Sequence, residues 1–205
     1  SGALRAADNL STVKMVIKTI AANNGLFASF MPKPLPDKSG SGLHVHMAPA
    51  SVSGETPPEE VFYAFLAGIL RRVGEITLFL NTATNSYQRF GSFEAPRYVT
   101  WSSGNRAQLI RVPGGGEPRL ELRSPDPLCN PYLAFTLLLQ AGLEGVREGW
   151  SPPAPTDVDL LTAPAELLAG LEKLPESLGE AIDRARNSAF VQRSLPGAVI
   201  DKILD

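Results

Sequence analysis

Two short segments of the chain, at residues 43–48 and 119–123, alternate strictly between apolar and polar side chains. Successive side chains of a strand point to opposite faces of a sheet, so each segment is predicted to be a strand with one apolar and one polar face. His44 and His46 share the polar face of the first strand, while its apolar side chains point into a core. The chain is therefore expected to contain a sheet with one covered face.

Longer apolar periodicities predict helices beside this sheet. Residues 3–22 form the first helical pattern, and a second helix opens at residues 57–60 with acids in its first turn. A third helix is capped by Asn130, with Pro131 at its first position, and continues to about Arg147. The first helix has one apolar face, formed by Val13, Val16, Ile17 and Ile20. The predicted buried face of the second helix consists of Phe62, Phe65, Leu66, Ile69, Val73, Ile76 and Leu80.

Shorter elements complete a predicted α+β fold. Further strands are expected at residues 26–31, 98–101 and 107–112, and a long polar loop at residues 81–96. Three short helices are expected at residues 164–173, 175–187 and 189–203. The prediction is a mostly antiparallel sheet flanked by helices, with the sheet and the site residues in residues 1–148 and a helical tail in residues 149–205.

Composition and charge exclude several classes of protein. The 205 residues are 43% hydrophobic with a formal net charge of -2, so the chain is globular and has no basic patch for nucleic acid. No apolar run is long enough to span a membrane, and no signal peptide is recognisable. The single cysteine, Cys129, fits a reducing, cytoplasmic environment. Because the chain enters a helical pattern at once, we expect it to be a piece of a longer protein.

The polar faces of the two alternating strands carry groups suited to metals and anions. Two imidazoles on one face suit a metal or phosphate site, with a pair of surface histidines as the simpler alternative. Arg119, Glu121 and Arg123 share a face of the other strand, where they form either an anion site or ordinary cross-strand ion pairs. Taken alone, that strand favours the ion pairs.

Arginines are dense between Asn81 and Pro125. Guanidinium groups bind carboxylate and phosphate through paired hydrogen bonds, so arginines beside His and Glu suggest a phosphorylated or carboxylate substrate. The chain has no Walker-type loop and no GxGxxG motif. The arginines of this segment are Arg89, Arg97, Arg106, Arg111, Arg119 and Arg123.

A series of motifs, taken in order, resembles glutamine synthetase of the bacterial type, in the C-terminal part of its catalytic domain. The similarity covers residues 3–146 closely and the remainder loosely. The matching motifs are FMPKP at 30–34, GSGLHVH at 40–46, NSYQR at 85–89, FEAP at 93–96, NR at 105–106, IRVP at 110–113, RLELRSPDP at 119–127 and NPYLAF at 130–135.

The resemblance implies an ATP-dependent ligase. In this family ATP phosphorylates the side-chain carboxylate of glutamate, and ammonia attacks the acyl phosphate to give glutamine. Two divalent metals, Mg or Mn, neutralise and position the reacting groups. The family assembles as a homo-oligomer, a dodecamer with active sites between subunits, and neither nucleic acid nor a membrane is an expected partner.

The resemblance also implies a role for each matched residue. His44 and Glu121 correspond to metal ligands, and Glu94 to a catalytic acid on the loop that closes the site and helps to deprotonate ammonium. The residues on the ATP side are His46, Arg106, Arg111 and Arg119, of which Arg106 is also implied to be catalytic. The residues on the glutamate side are Gly40, Arg89 and Arg123.

Parts of the family's active site have no counterpart in this sequence. Most of the family's metal-binding glutamates lie upstream of the matched region, as does a small N-terminal domain that completes the neighbouring subunit's site. We therefore expect half a metal site and almost no activity from the chain alone. Two alternatives are a γ-glutamyl ligase acting on another amine, such as a polyamine, and a non-catalytic binding module, which should have lost the metal-binding and arginine residues.

Overall fold

The computed structural model describes residues 2–204, which form seven α-helices and four short strands. The helices are α1 (Ala3–Asn23), α2 (Glu59–Leu80), α3 (Pro131–Glu148), α4 (Ala165–Ala169), α5 (Leu178–Arg186), α6 (Ala189–Ser194) and α7 (Gly197–Leu204). The strands are β1 (Val45–Met47), β2 (Trp101–Ser102), β3 (Ile110–Arg111) and β4 (Leu120–Leu122). In this part of the chain, no helix combines the length and the apolar character that crossing a membrane requires.

The four strands form one small mixed sheet in the order β1-β4-β3-β2. β4 pairs antiparallel with both β1 and β3, whereas β2 and β3 run parallel, which the sequence does not predict. Parallel neighbours usually need a crossover of about a dozen residues or more. Because β2 and β3 are each only two residues long, the loop at residues 103–109 is enough to return the chain.

The other predicted strands are absent or shortened. Residues 26–31 form no strand, and Phe27 in this segment is 91% exposed. A strand needs a neighbouring backbone to pair its N–H and C=O groups, and alternation in the sequence cannot supply one. The segment at residues 98–101 keeps only an isolated bridge from Tyr98 to Lys173 before β2 begins.

One apolar cluster joins α2, α3 and the covered face of the sheet. Ile110, Leu120 and Leu122 contribute from the strands, and α3 contributes Leu137 and Leu138. Every predicted member of the buried face of α2 is buried, which confirms the interpretation of its periodicity: Phe62, Phe65, Leu66, Ile69, Val73, Ile76 and Leu80.

Helix α3 begins and ends as its sequence predicts. The Asn130 side chain accepts hydrogen bonds from the backbone N–H groups of Tyr132 and Leu133, with Pro131 at the first position. Gly149 closes the helix in the left-handed conformation, at φ 63°. Both ends of the helix are thus fixed by local side-chain chemistry.

Helix α1 turns its apolar face outward. Val13, Val16, Ile17 and Ile20 are all exposed, and Ala7 is the buried residue of this helix. The helix packs on α3, and Tyr132 Oη of α3 donates to Asp8 Oδ1 of α1 at 2.7 Å. The four apolar side chains thus share one face of the helix, and this face is exposed in residues 2–204.

The chain after α3 returns to the sheet and then to α2. Trp101 Nε1 donates to the Pro153 carbonyl at 2.8 Å, and the Thr156 N–H donates to the Trp101 carbonyl at 2.8 Å. Helices α5 and α6 pack on α2. Their buried side chains are Ala181, Ala185, Phe190 and Val191.

Candidate active site

The polar face of the sheet collects the imidazole, carboxylate and guanidinium groups of three strands. His46 lies opposite Glu121 in the β1–β4 pair, and Arg111 lies opposite Glu121 in the β3–β4 pair. Residues directly opposite each other in a sheet share a face, as do residues two apart on one strand. His44 and Arg123 therefore belong to the same face.

Glu121 is the centre of this group and is only 3% exposed. Its Oε1 accepts a hydrogen bond from Arg123 Nη1 at 2.6 Å and lies 3.0 Å from His44 Nδ1. Its Oε2 lies 3.0 Å from Arg111 Nη1, but within residues 2–204 no donor is aligned for a hydrogen bond to it. Glu121 is thus a buried ion-pair centre, unlike a solvated cross-strand pair.

The neighbouring charges set the protonation state of this centre. Burial raises the pKa of Glu121, but Arg123 and Arg111 lower it by more, so the net shift is downward and the group is a carboxylate at neutral pH. Burial, reinforced by Arg123, lowers the pKa of His44 and keeps its imidazole neutral at pH 7. A carboxylate and a neutral imidazole are the forms that ligate a divalent cation.

His44 and Glu121 fit a divalent metal in kind but not in number. Mg²⁺ prefers about six ligands in an octahedron. Among residues 2–204, no group of three or more His, Cys, Asp or Glu side chains could hold a metal ion. The chain therefore offers two donor groups of suitable chemistry, the imidazole of His44 and the carboxylate of Glu121.

Arg89 lies beneath the loop that carries Gly40 and is only 3% exposed. Its Nη1 and Nη2 donate to the carbonyls of Ser124 and Arg123, at 2.6 and 2.8 Å. A Cβ added at Gly40 would lie 2.6 Å from the Pro32 carbonyl oxygen and 3.0 Å from Arg89 Cδ, so glycine is required there. In this arrangement Arg89 supports the Gly40 loop and offers no free fork to the polar face.

Glu94 stands at the edge of the centre on a tight surface turn. Its side chain is 65% exposed, and its Oε2 lies 3.5 Å from Arg123 Nη2. The turn is closed by the Gly91 N–H, which donates to the Ala95 carbonyl at 3.0 Å. Arg123 therefore faces Glu121 with one nitrogen and Glu94 with another.

Three predicted site residues lie outside these contacts. Arg106 is exposed on the turn after β2, and Arg119 is half-buried just before β4. Neither forms an ion pair with an acidic side chain of the described part of the chain. His46 is exposed on β1. The structure thus brings together His44, Glu94, Arg111, Glu121 and Arg123, and leaves the other three outside these contacts.

A groove of about 870 Å³ adjoins the centre. Its lining includes His44 and His46 on one side and apolar side chains such as Phe65 and Leu138 on the other. The two histidines therefore lie between the buried charges around Glu121 and an open, mainly apolar groove.

Lys33 and Phe93 belong to this region although their sequence predicts no role for them. Lys33 is 8% exposed, and its Nζ lies 4.9 Å from the centroid of the Phe93 ring. Both lie within motifs on which the family resemblance rests, at residues 30–34 and 93–96. Their place within these motifs is the one feature of the sequence that could have pointed to them, because the burial of a lysine cannot be predicted from its neighbours in sequence.

The sequence matches a protein family along its whole length. The family model described as "Glutamine synthetase, catalytic domain" matches residues 1–205. The glutamine synthetase of Methanosarcina mazei is 42% identical over 203 residues, covering 92% of this chain and 45% of that protein. The glutamine synthetase of Thermotoga maritima is 40% identical over 216 residues, covering 98% of this chain and 49% of that protein. The chain thus spans about half the length of these relatives.

Solved structures with a similar fold also match the whole of this chain with about half of their own length. A complex of GmaS with ADP superposes with a TM-score of 0.89 and 30% identity, covering 100% of this chain and 50% of that one. Ligand-free GmaS superposes with a TM-score of 0.88 and 31% identity, covering 100% and 49%. Both the sequence and the fold therefore correspond to about half of longer proteins.

Proposed function

The chain belongs to the glutamine synthetase family, and we propose that it forms part of an enzyme that makes glutamine from glutamate, ammonia and ATP. The γ-phosphoryl group of ATP passes to the side-chain carboxylate of glutamate, giving ADP and γ-glutamyl phosphate. Ammonia then attacks the acyl carbon, and inorganic phosphate leaves. The observation that carries the proposal is the buried Glu121 carboxylate, in contact with His44, Arg111 and Arg123.

We assign His44 and Glu121 as ligands of a divalent metal, Mg²⁺ or Mn²⁺. When bound, the metal would neutralise charge on the phosphate oxygens and on the substrate carboxylate. The neutral imidazole and the ionised carboxylate support this assignment because neither must lose a proton to bind the metal. Residues 2–204 contain no larger cluster of metal-binding side chains. The remaining ligands must therefore come from outside these residues.

The proposed ATP side consists of His46, Arg106, Arg111 and Arg119. Phosphoryl transfer spreads negative charge over the oxygens of the transferring group, so fixed cations lower the barrier. Arg106 and Arg119 suit this role because, in residues 2–204, no acidic side chain pairs with either guanidinium. Arg111, 3.0 Å from Glu121, joins the phosphate side to the proposed metal ligand. We assign Arg106 as the catalytic cation.

The proposed glutamate side consists of Gly40, Arg89 and Arg123. Arg123 offers its guanidinium between Glu121 and Glu94, where a substrate carboxylate can replace one of those acids. Arg89 supports the Gly40 loop and adds a buried positive charge beneath it. Glu94 is exposed at the edge of this site, so its carboxylate can accept the proton that ammonium must lose.

Because the chain spans about half of its relatives, the complete enzyme is proposed to need further protein. We propose that the residues missing from the metal site lie in the rest of a longer chain and in a neighbouring subunit. The enzyme would then be a homo-oligomer, a dodecamer, in the cytoplasm. The 205-residue chain alone should have almost no activity, since its two metal donors would bind Mg²⁺ weakly.

Turnover in a polypeptide of the relatives' length that contains this sequence tests the function. With ATP, Mg²⁺, glutamate and ammonia it should form glutamine and ADP in equal amounts. Glu121→Gln should lower kcat by at least about 100-fold, because the charge of a metal ligand at the centre is lost. Glu117→Gln, at an exposed position before β4, is the matched control and should leave kcat unchanged.

The acceptor amine is tested in the same assay. A higher kcat/KM with methylamine or a polyamine than with ammonia would identify a γ-glutamyl ligase for another amine. If no amine supports ADP formation in a folded polypeptide, the proposal is wrong and a non-catalytic binding module is favoured. Glutamine formation by the 205-residue chain alone would contradict the proposal that its metal site is incomplete.

A further inference from the structure

Lys33 is a buried cation without an acidic partner. It is 8% exposed, and its Nζ donates a hydrogen bond to the Lys38 carbonyl at 2.5 Å. Within residues 2–204, no acidic side chain forms an ion pair with it. Removing an ammonium group from water is costly, so buried lysines usually have a charged partner. Here the group beside the ammonium is the face of the Phe93 ring, at 4.9 Å from the centroid, a cation–π distance.

Phe93 has an unusual backbone conformation. Its φ is 55°, and it is the one non-glycine residue with positive φ in the described part of the chain. A bulky side chain is unfavourable there and persists only when its surroundings hold it. The ring is half exposed, so burial in a core does not hold it. The Lys33 ammonium, 4.9 Å from the ring centroid, is the cation that contacts the Phe93 ring.

The turn around Phe93 determines where Glu94 points. The Gly91 N–H donates to the Ala95 carbonyl at 3.0 Å, and the Ala95 N–H donates to the Ser92 carbonyl at 3.1 Å. These bonds close the chain on both sides of Phe93, and the next residue places Glu94 Oε2 3.5 Å from Arg123 Nη2. The left-handed step at Phe93 is thus part of the geometry that directs Glu94 to the site.

Lys33 also belongs to the loop that carries Gly40. The Ser41 N–H donates to the Pro32 carbonyl at 2.8 Å, which folds residues 32–41 into one closed loop. Asn85 Nδ2 donates to the Lys33 carbonyl at 3.4 Å, which ties the same loop to the segment before Arg89. Lys33 therefore lies where the Gly40 loop meets the turn that carries Glu94.

We propose that Lys33 is a positioning residue that acts through Phe93. Its ammonium, held by the Lys38 carbonyl, supports the Phe93 ring and keeps the turn at residues 91–95 in the form that directs Glu94 towards Arg123. The Gly40 loop and the Glu94 turn are thereby coupled. The consequence for turnover rests on the proposed function, whereas the structural coupling can be measured without it.

Amide hydrogen exchange in the 205-residue chain tests the coupling. In Lys33→Met, the Gly91 and Ala95 amides should exchange about fivefold faster, because the cation–π contact is lost. Lys38→Met is the matched control on the same loop: only its backbone carbonyl makes the contact, so exchange should not change. In Phe93→Tyr the two amides should exchange at the parent's rate, because an aromatic ring is kept. In Phe93→Leu they should exchange as fast as in Lys33→Met. Unchanged exchange in Lys33→Met would overturn the proposal.

Turnover in the longer polypeptide tests the consequence for Glu94. Lys33→Met should lower kcat about tenfold and leave the KM for ATP unchanged, since the general base is displaced and the nucleotide side is not. Lys33→Arg should recover most of the rate, because a guanidinium also stacks on an aromatic ring. Faster exchange with an unchanged kcat would overturn the positioning role. If the parent polypeptide ligates no amine, the proposed function fails, and the exchange measurement alone then decides whether Lys33 fixes the turn.

Discussion

Helices α1 and α2 have similar apolar periodicities but opposite environments. The apolar face of α2 is fully packed against α3 and the sheet, whereas the face of α1 that carries Val13, Val16, Ile17 and Ile20 is exposed. A helical period identifies which side chains share a face. It says nothing about which element, in which part of the chain, will cover that face. The difference between the two helices is therefore a difference in partners.

The contact between α2 and α3 depends on three glycines. A Cβ at Gly68 would lie 2.1 Å from the Ala141 carbonyl oxygen, and one at Gly145 would lie 2.1 Å from the Ala64 carbonyl oxygen. A Cβ at Gly142 would lie 2.3 Å from the Phe65 ring. The two helix backbones approach so closely that there is no room for a methyl group at the crossing.

Adding a methyl group at this crossing is expected to have the largest effect on stability. Gly68→Ala should lower the free energy of unfolding by at least about 3 kcal/mol, because the atoms it meets are backbone and cannot rotate away. The helices would have to separate and would lose contacts along their length. Urea unfolding followed by circular dichroism measures the change.

Gly179→Ala provides the matched control for that substitution. Gly179 lies within α5 and is exposed, and the nearest atom to its added Cβ would be Ser177 Oγ at 3.9 Å. Removing a glycine from an open helix should raise the free energy of unfolding by about 1 kcal/mol. A loss of less than about 1 kcal/mol for Gly68→Ala would show that the helices are not held at the observed distance.

An ion pair at the same helix contact should have an intermediate effect. Arg72 on α2 donates from Nε and Nη2 to the two carboxylate oxygens of Glu144 on α3, at 2.8 and 3.0 Å. Both side chains are largely buried, so the pair is better shielded from solvent than a surface ion pair. Glu144→Gln should lower the free energy of unfolding by about 1–2 kcal/mol at pH 7. Urea unfolding of the two proteins measures this difference.

The pH dependence of that difference has a defined sign. The hydrogen bond from Arg72, with help from Arg193, holds the pKa of Glu144 below its usual value despite burial. The contribution of the ion pair is therefore complete above the unfolded-state pKa of about 4.3, and is lost as the pH falls through the lower folded-state value. The difference in the free energy of unfolding between Glu144→Gln and its parent should disappear in that pH range. Glu148→Gln, exposed on the same helix, should show no gap at any pH.

Features fixed by local chemistry could be predicted from the sequence, and features that depend on distant partners could not. The alternation around His44 and Glu121 predicts which side chains share a face, since the period of two is a property of the strand itself. The Asn130 cap is equally local. The exposure of α1, the parallel pairing of β2 with β3 and the burial of Lys33 all depend on residues far along the chain, or on ones outside it.

The smallest effect is expected on the exposed face of α1. Ile20→Ala should change the free energy of unfolding of the 205-residue chain by less than about 0.5 kcal/mol, because the side chain is 57% exposed. The same substitution at the fully buried Ile76 of α2 should cost about 2–5 kcal/mol. The two substitutions, Ile20→Ala and Ile76→Ala, should then be compared in a polypeptide of the relatives' length. A cost for Ile20→Ala that rises towards that of Ile76→Ala would show that the added residues cover α1, and an unchanged cost would show that this face stays exposed in the longer protein as well.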